Sequence, residues 1–151
     1  MNTHSLKINV SLSEILDAVT AESAWRHALD PTDVYLTRDQ APLIGRKARQ
    51  AYNDLCARLS GYLELNSFNP NVNDQYIVLW LRLRQRPSSR LGDVMKGVIV
   101  DAIAQFALSS FYGRHDKKSK DEDVYHLSWR RACAHIAVLL ARDANGLPLL
   151  P

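Results

Sequence analysis

The sequence predicts a mainly α protein: a four-helix bundle-like domain with a small two-stranded β element. Apolar residues recur with the 3.6-residue period of amphipathic helices in four stretches, and two other stretches alternate apolar and polar residues as strands do. The length of 151 residues is close to the commonest domain size, and 46% hydrophobic residues suffice for one core. We therefore expect a single helical domain over residues 1–151.

A strand and a capped helix should open the chain. Residues 6–10 alternate as a half-buried strand does, and Ser11 and Glu14 have the spacing of a capping box. The helix should end at Asp30, because the residue before a proline avoids the helical region. Its inward face is predicted to carry the following apolar residues, with Trp25 at the edge: Leu12, Ile15, Leu16, Val19 and Leu29.

A second helix should follow a short apolar connector at residues 34–36. Thr37 and Gln40 repeat the capping-box spacing, and Pro42 suits a first helical turn. Helical spacing then continues to about Leu63. The predicted inward residues are Ile44, Ala48, Ala51, Tyr52, Leu55, Leu59, Tyr62 and Leu63.

A long strand is predicted over residues 75–85, after a loop rich in Asn at 66–74. One face should carry Ile77, Leu79, Leu81 and Leu83, and the other Tyr76, Val78, Trp80, Arg82 and Arg84. The run at 6–10 is the obvious partner within the chain. Because a two-stranded ribbon is marginal alone, either helices cover it or a neighbouring subunit extends it, and the residues leave pairing within or between subunits open.

The longest apolar stripe spans residues 91–112, and we expect the rest of the chain to pack around it. Such a helix would be about 33 Å long. Ser88 or Ser89 is placed to cap it, Asp93 lies near its positive end, and Gly113 suits its end. Its predicted inward residues are Leu91, Val94, Met95, Val98, Ile99, Ala102, Ile103, Phe106 and Ala107.

A charged linker over residues 114–123, expected to be mobile, should lead into a last helix over about 122–142. Asn145 and Gly146 would close that helix, and residues 147–151 would form an apolar tail. The predicted inward residues of the helix are Tyr125, Trp129, Ala132, Cys133, Ile136, Leu139 and Leu140.

Composition indicates a protein kept in the cytosol. The N-terminus lacks a signal peptide, and no apolar run approaches the ~20 residues that span a bilayer. Cys56 and Cys133 lie on apolar helix faces without a CxxC pair, so buried thiols are expected rather than a zinc or redox site. The net charge of +3 permits an acidic partner without requiring one.

The residues do not predict an enzyme. GxSxG, GxxxxGK[ST], GxGxxG and HExxH motifs are all absent from the sequence. His126 and His135 are nine residues apart, whereas a helical metal pair needs three or four. We therefore expect no catalytic residues, no metal, no cofactor and no small-molecule substrate.

The most prominent polar feature is a basic segment beside an aromatic row. Arg82, Arg84, Arg86 and Arg90 follow Tyr76, Val78 and Trp80. Arginine beside aromatic rings suits phosphate or carboxylate partners. Charges also keep an exposed strand from pairing at its edge, and the residues leave both interpretations open. If helices cover only one face of the ribbon, the row of residues 76, 78 and 80 would be an interface.

The order of these parts resembles the short helical head–tail connector, or neck adaptor, proteins of tailed bacteriophages and prophages. The likeness lies in a short capped helix from Ser11, a longer helix ending near Gly61-Tyr62-Leu63, an extended segment leading through Pro87, and a third helix ending in Phe111-Tyr112-Gly113-Arg114. It covers roughly residues 11–114. The alternating strand and the helix after residue 122 depart from the family pattern.

The resemblance implies a mechanical function. Copies would form a ring beneath the portal, in contact with portal and tail proteins and close to DNA. The protein would reside in the host cytoplasm and then in the virion, with no membrane partner. The alternative is a small nucleic-acid-binding or regulatory domain that uses the Arg82–Arg90 segment together with Arg46, Lys47 and Arg49.

Overall fold

The fold is mainly α with a small two-stranded antiparallel sheet, as predicted. The computed structural model describes residues 4–32, 35–59, 76–83, 90–112 and 121–143. In chain order the elements are β1 (His4–Ser11), α1 (Leu12–Leu29), a 3₁₀ turn (Arg38–Gln40), α2 (Ala41–Arg58), β2 (Tyr76–Leu83), α3 (Leu91–Tyr112) and α4 (Asp121–Asp143).

Helix α3 is the element around which the others pack. Helices α1, α2 and α4 and strand β1 all contact it. Its buried side chains are Leu91, Met95, Ile99, Ala102, Ile103, Ala104, Ala107, Leu108 and Tyr112. Val94, predicted to be inward, is 47% exposed because no described element covers its side of the first turns. Since several elements surround α3, its buried surface is wider than a single stripe and includes Ala104 and Leu108.

The same helix meets the length and composition of a membrane-spanning segment. Helix α3 has 22 residues, and 18 of them in a row have a mean hydropathy of 1.4, so by length and composition alone it could cross a membrane. A helix at the centre of a domain meets the same two criteria, because it too is apolar on several sides. Length and composition alone therefore do not place α3 in a bilayer.

The two predicted strands pair with each other in antiparallel direction within the chain, one of the two pairings that the sequence leaves open. Leu6 pairs with Leu81, and Ile8 pairs with Leu79. The side chains of one face enter the core: Ile8, Val10, Leu79, Leu81 and Leu83. The opposite face of β1 is exposed at Ser5, Lys7 and Asn9. One side of the ribbon is thus covered by α3 and α1, and β1 leaves its other side open.

Capping residues fix the start of α1. The N–H of Glu14 donates to Ser11 Oγ at 3.2 Å, and the Ser11 hydroxyl donates to the Glu14 carboxylate at 3.0 Å. Lys96 reaches the same carboxylate at 3.1 Å, which ties α3 to the beginning of α1. Burial alone would raise the pKa of Glu14, but the bonds from Lys96 and Ser11 outweigh it and lower that pKa. Asp30 ends the helix, as predicted.

Three predicted boundaries differ from the structure. The box of Thr37 and Gln40 caps the 3₁₀ turn that leads into α2, and α2 ends at Arg58, before the predicted end near Leu63. Residues 60–63 lie outside the described residues. Helices α1 and α2 both have 18 residues, so the expected short-then-long order is wrong. Helix α4 already begins at Asp121, within the predicted linker.

Candidate functional site

For the aromatic row expected at the interface, the structure describes only the backbone. Residues 76, 78 and 80 of β2 pair with Ser11, Asn9 and Lys7 of β1. The side chains of Tyr76, Val78 and Trp80 lie outside the described part of the structure. Whether this row is an interface therefore stays a prediction.

The basic segment is described at two of its four arginines. Arg82 is half-buried, and its Nε is enclosed without a hydrogen-bond partner in the described residues. Arg90 is exposed at the turn before α3, where its carbonyl accepts the first helical N–H, from Val94, at 3.1 Å. Arg84 and Arg86 lie outside the described residues, as do the proposed caps Ser88 and Ser89. A continuous arginine surface remains an expectation.

A buried polar cluster, which sequence reasoning missed, joins α1 to α3 and to the chain before α2. Ser23 is fully buried, and its Oγ accepts the Leu36 N–H at 2.7 Å and the Tyr112 hydroxyl at 2.8 Å. The Arg26 guanidinium lies 4.0 Å from the centre of the Tyr112 ring. The only sequence signal was a serine within an otherwise apolar helix face. The Ser23 and Tyr112 hydroxyls bond to groups within the protein, so the role of this pair is structural.

The same cluster holds the start of α4. The Tyr125 hydroxyl donates to Glu22 at 3.0 Å and accepts from Arg26 at 3.3 Å, while its ring stacks on Tyr112 with centroids 5.8 Å apart. Burial raises the pKa of Tyr125 to about 12, against a smaller opposite effect of Arg26. A neutral phenol is thus retained between two charged groups.

A second polar contact joins α2 to α4. The Trp129 indole N–H donates to Asp54 Oδ2 at 3.2 Å, and Arg58 Nε donates to the same oxygen at 3.0 Å. The Trp129 ring meets Phe106 edge to face, with centroids 5.2 Å apart. This contact orients Arg58 at the end of α2.

Both thiols are buried, as predicted, and their burial makes the stability of the fold depend on pH in the alkaline range. Burial raises the pKa of Cys56 and of Cys133 from 9.0 to about 11. Between those values the unfolded chain loses thiol protons that the folded chain keeps, so the free energy of unfolding should fall as pH rises from 9 to 11. Urea denaturation at several pH values tests this, and a Cys56→Ala/Cys133→Ala variant should give a shallower slope. A flat wild-type curve would contradict it.

Among the described residues, one face of α1 is apolar and exposed, and we call it the α1 ridge. It consists of Ala21, Ala24, Trp25, Ala28 and Leu29, all exposed and none charged. Trp25 is 61% exposed and Leu29 68% exposed. Leu29 was predicted to be inward, which is wrong: it lies in the last turn, on the Trp25 side of the buried stripe. Ordinary surfaces expose single apolar residues, whereas a continuous apolar helix face indicates a binding surface.

A groove of about 600 Å³ lies between the end of α2 and α4, and we call it the α2–α4 groove. Its lining residues are Arg58, Leu59, Leu127, Arg130, Arg131, Cys133, Ala134 and Ala137. Leu127 is 44% exposed at its edge. Arg130 and Arg131 form no ion pair with any residue in the described ranges. The groove therefore has an apolar floor and two arginines available to an acidic partner.

Helices α2 and α4 are basic beyond the groove as well. The outer side of α2 carries Arg46, Lys47 and Arg49, and its one carboxylate, Asp54, is bonded to Arg58 and Trp129. Residues 125–140 of α4 contain no acidic residue. This part of the protein favours negatively charged partners.

The described residues do not assemble a metal centre: no three of their histidine, cysteine, aspartate or glutamate side chains come together. His126 and His135 are both exposed on α4. His27 instead stacks on Tyr35, with ring centroids 4.7 Å apart.

No family model, curated protein or solved structure matches the chain. The α1 ridge and the α2–α4 groove are therefore the two surfaces that bear on function.

Proposed function

We propose that this protein is a non-enzymatic assembly subunit, a head–tail connector of a phage or prophage that forms a ring. The order of elements supports the proposal: a capped helix, a second helix, an extended segment, and a long helix ending in Phe111 and Tyr112. Portal and tail proteins would be its other partners, and the DNA channel would lie close by. The protein would act first in the host cytoplasm and then in the virion.

The observation that carries the assembly function is the α1 ridge. Trp25 and Leu29 lie on an exposed helix face flanked by alanines, without a charged residue to interrupt it. Leaving such a face in water costs about 25 cal/mol for each Å² of apolar surface that a partner would cover. Flat alanine-rich helix faces with one aromatic residue suit contact with another protein, because they permit close approach and supply an anchor.

The mass of the purified protein, measured by light scattering over a range of concentrations, tests this function. We expect a concentration-dependent oligomer several times the 17.1 kDa mass of one chain. High salt should leave part of the association intact, because the ridge is apolar. A constant mass of one chain at every concentration would contradict ring assembly by this protein.

The basic surface of α2 and α4 favours the second candidate, a nucleic-acid-binding or regulatory domain. Arg46, Lys47, Arg49 and the groove arginines would contact phosphates. A monomer whose affinity for duplex DNA falls steeply between low and moderate salt would favour this candidate over the connector. An oligomer without measurable DNA affinity would favour the connector.

A further inference from the structure

We propose that the α1 ridge of one copy of this chain binds in the α2–α4 groove of the next copy. The inference rests on the proposed assembly function and names the two surfaces that perform it. The interface residues expected from the sequence, on β2 and its exit, take no part in it. The surfaces that do are Trp25 and Leu29 on one copy, and Leu127, Arg130 and Ala134 on the other.

The two surfaces match in chemistry and length. The ridge is an apolar helix face, and the groove floor between its arginines is formed by leucine, cysteine and alanine side chains. From residue 21 to residue 29 the ridge is about 12 Å long, and the groove wall on α4 from residue 127 to residue 137 is about 15 Å long. Trp25 supplies a large anchor, the residue type that most often dominates such contacts.

Their charges are complementary as well. The ridge ends at the C-terminus of α1, where the helix dipole is negative, and Asp30 is exposed at that position. Bonds from Thr32 lower the pKa of Asp30, so its carboxylate remains charged. Arg130 and Arg131 provide unpaired guanidinium groups at the groove, counting partners within the described ranges. Opposite charges at the edge would fix the direction in which the ridge lies.

The surfaces are on different parts of one subunit, so the contact is heterologous. Each copy offers a ridge to one neighbour and a groove to another, and such contacts produce a ring when the rotation closes. The arrangement predicts that a copy with a defective ridge still accepts a neighbour in its groove. A copy with a defective groove should likewise still donate its ridge.

Two variants test this directly. Trp25→Glu places a charge on the ridge, and Ala134→Glu places a carboxylate in the groove, one turn from Arg130 and Arg131. Trp25 and Ala134 are both exposed, so each variant should keep the wild-type circular dichroism and denaturation midpoint. Val94→Glu, at a residue that is 47% exposed and lies outside both surfaces, is the matched control. Light scattering measures the mass of each protein and of mixtures.

We expect Val94→Glu to assemble as the wild type does. Each of the other variants should remain a monomer at concentrations about thirtyfold above the one at which half of the wild-type protein is assembled. A shift of about thirtyfold corresponds to the loss of a contact of about 2 kcal/mol. An equimolar mixture of Trp25→Glu and Ala134→Glu should form a dimer and nothing larger. It retains one intact ridge and one intact groove, which permit a single contact.

Three results would overturn the proposal in different ways. If the wild type assembles and Trp25→Glu assembles equally well, the interface is wrong while the assembly function stands; the ridge would then bind another protein. If each folded variant is a monomer and their equimolar mixture also contains only monomers, the ridge and the groove do not contact each other. A wild-type monomer at every concentration would overturn the assembly function, and this interface with it.

Discussion

Trp129→Ala should lower the free energy of unfolding by about 3–5 kcal/mol, the largest effect expected of a single truncation in this chain. The indole is 1% exposed and fills the space between α3 and α4 against Phe106. Its removal leaves a cavity of nearly the full ring, and the fixed helices around it can close only part of that space. It also removes the N–H that bonds Asp54. Urea denaturation monitored by circular dichroism measures the change.

The matched control is Trp25→Ala, which removes the same side chain from an exposed site. Trp25 is 61% exposed, so the free energy of unfolding should change by no more than about 0.5 kcal/mol. Both variants should be compared at a concentration where the protein is a monomer, because Trp25 belongs to the proposed interface. Equal destabilisation by the two substitutions would contradict the packing of α4 on α3.

Ser23→Ala should have the second largest effect and lower the free energy of unfolding by about 2–4 kcal/mol. The substitution removes one oxygen, yet it leaves two buried donors, the Leu36 N–H and the Tyr112 hydroxyl, without their acceptor. The cost arises from the unmet donors, since an alanine at a fully buried position is itself well tolerated in a helix. Thermal and urea denaturation both measure it.

A double-mutant cycle separates this explanation from a simple loss of packing. Tyr112→Phe removes one of the two donors, so Ser23→Ala should cost less in that background than in the wild type. The tyrosine ring keeps its place beside Arg26 in the variant. Strict additivity of the two substitutions would show that the Ser23–Tyr112 hydrogen bond contributes nothing.

Much of the fold was predictable because it depends on local chemistry. The period of apolar residues predicted α3 with both of its ends, and strict alternation predicted β2. The sequence left open whether β2 pairs within the chain or with another subunit, and the structure pairs it with β1. Capping residues placed the start of α1, and a residue before proline placed its end. These signals lie within a few residues of each other, so they can be interpreted without tertiary structure.

The candidate site was much less predictable. From the sequence, the predicted interface residues were Arg82–Arg90 and the row of residues 76, 78 and 80. The surfaces that the structure describes as exposed and suited to binding are the α1 ridge and the α2–α4 groove. Leu29 shows why: helical period placed it on the inward face of α1, but only the positions of neighbouring helices decided whether that part of the face is covered. It is 68% exposed.

The sequence by itself determined the fold class and the presence of four helices and two strands, and it predicted most of the residues that line the core. The tertiary structure decided which apolar surfaces the core uses and which remain for a partner. It also brought Ser23 to Tyr112 and Asp54 to Trp129, pairs that are 89 and 75 residues apart. Local periodicity depends on backbone geometry, which each segment carries by itself, whereas coverage and distant contacts depend on how all the segments pack together.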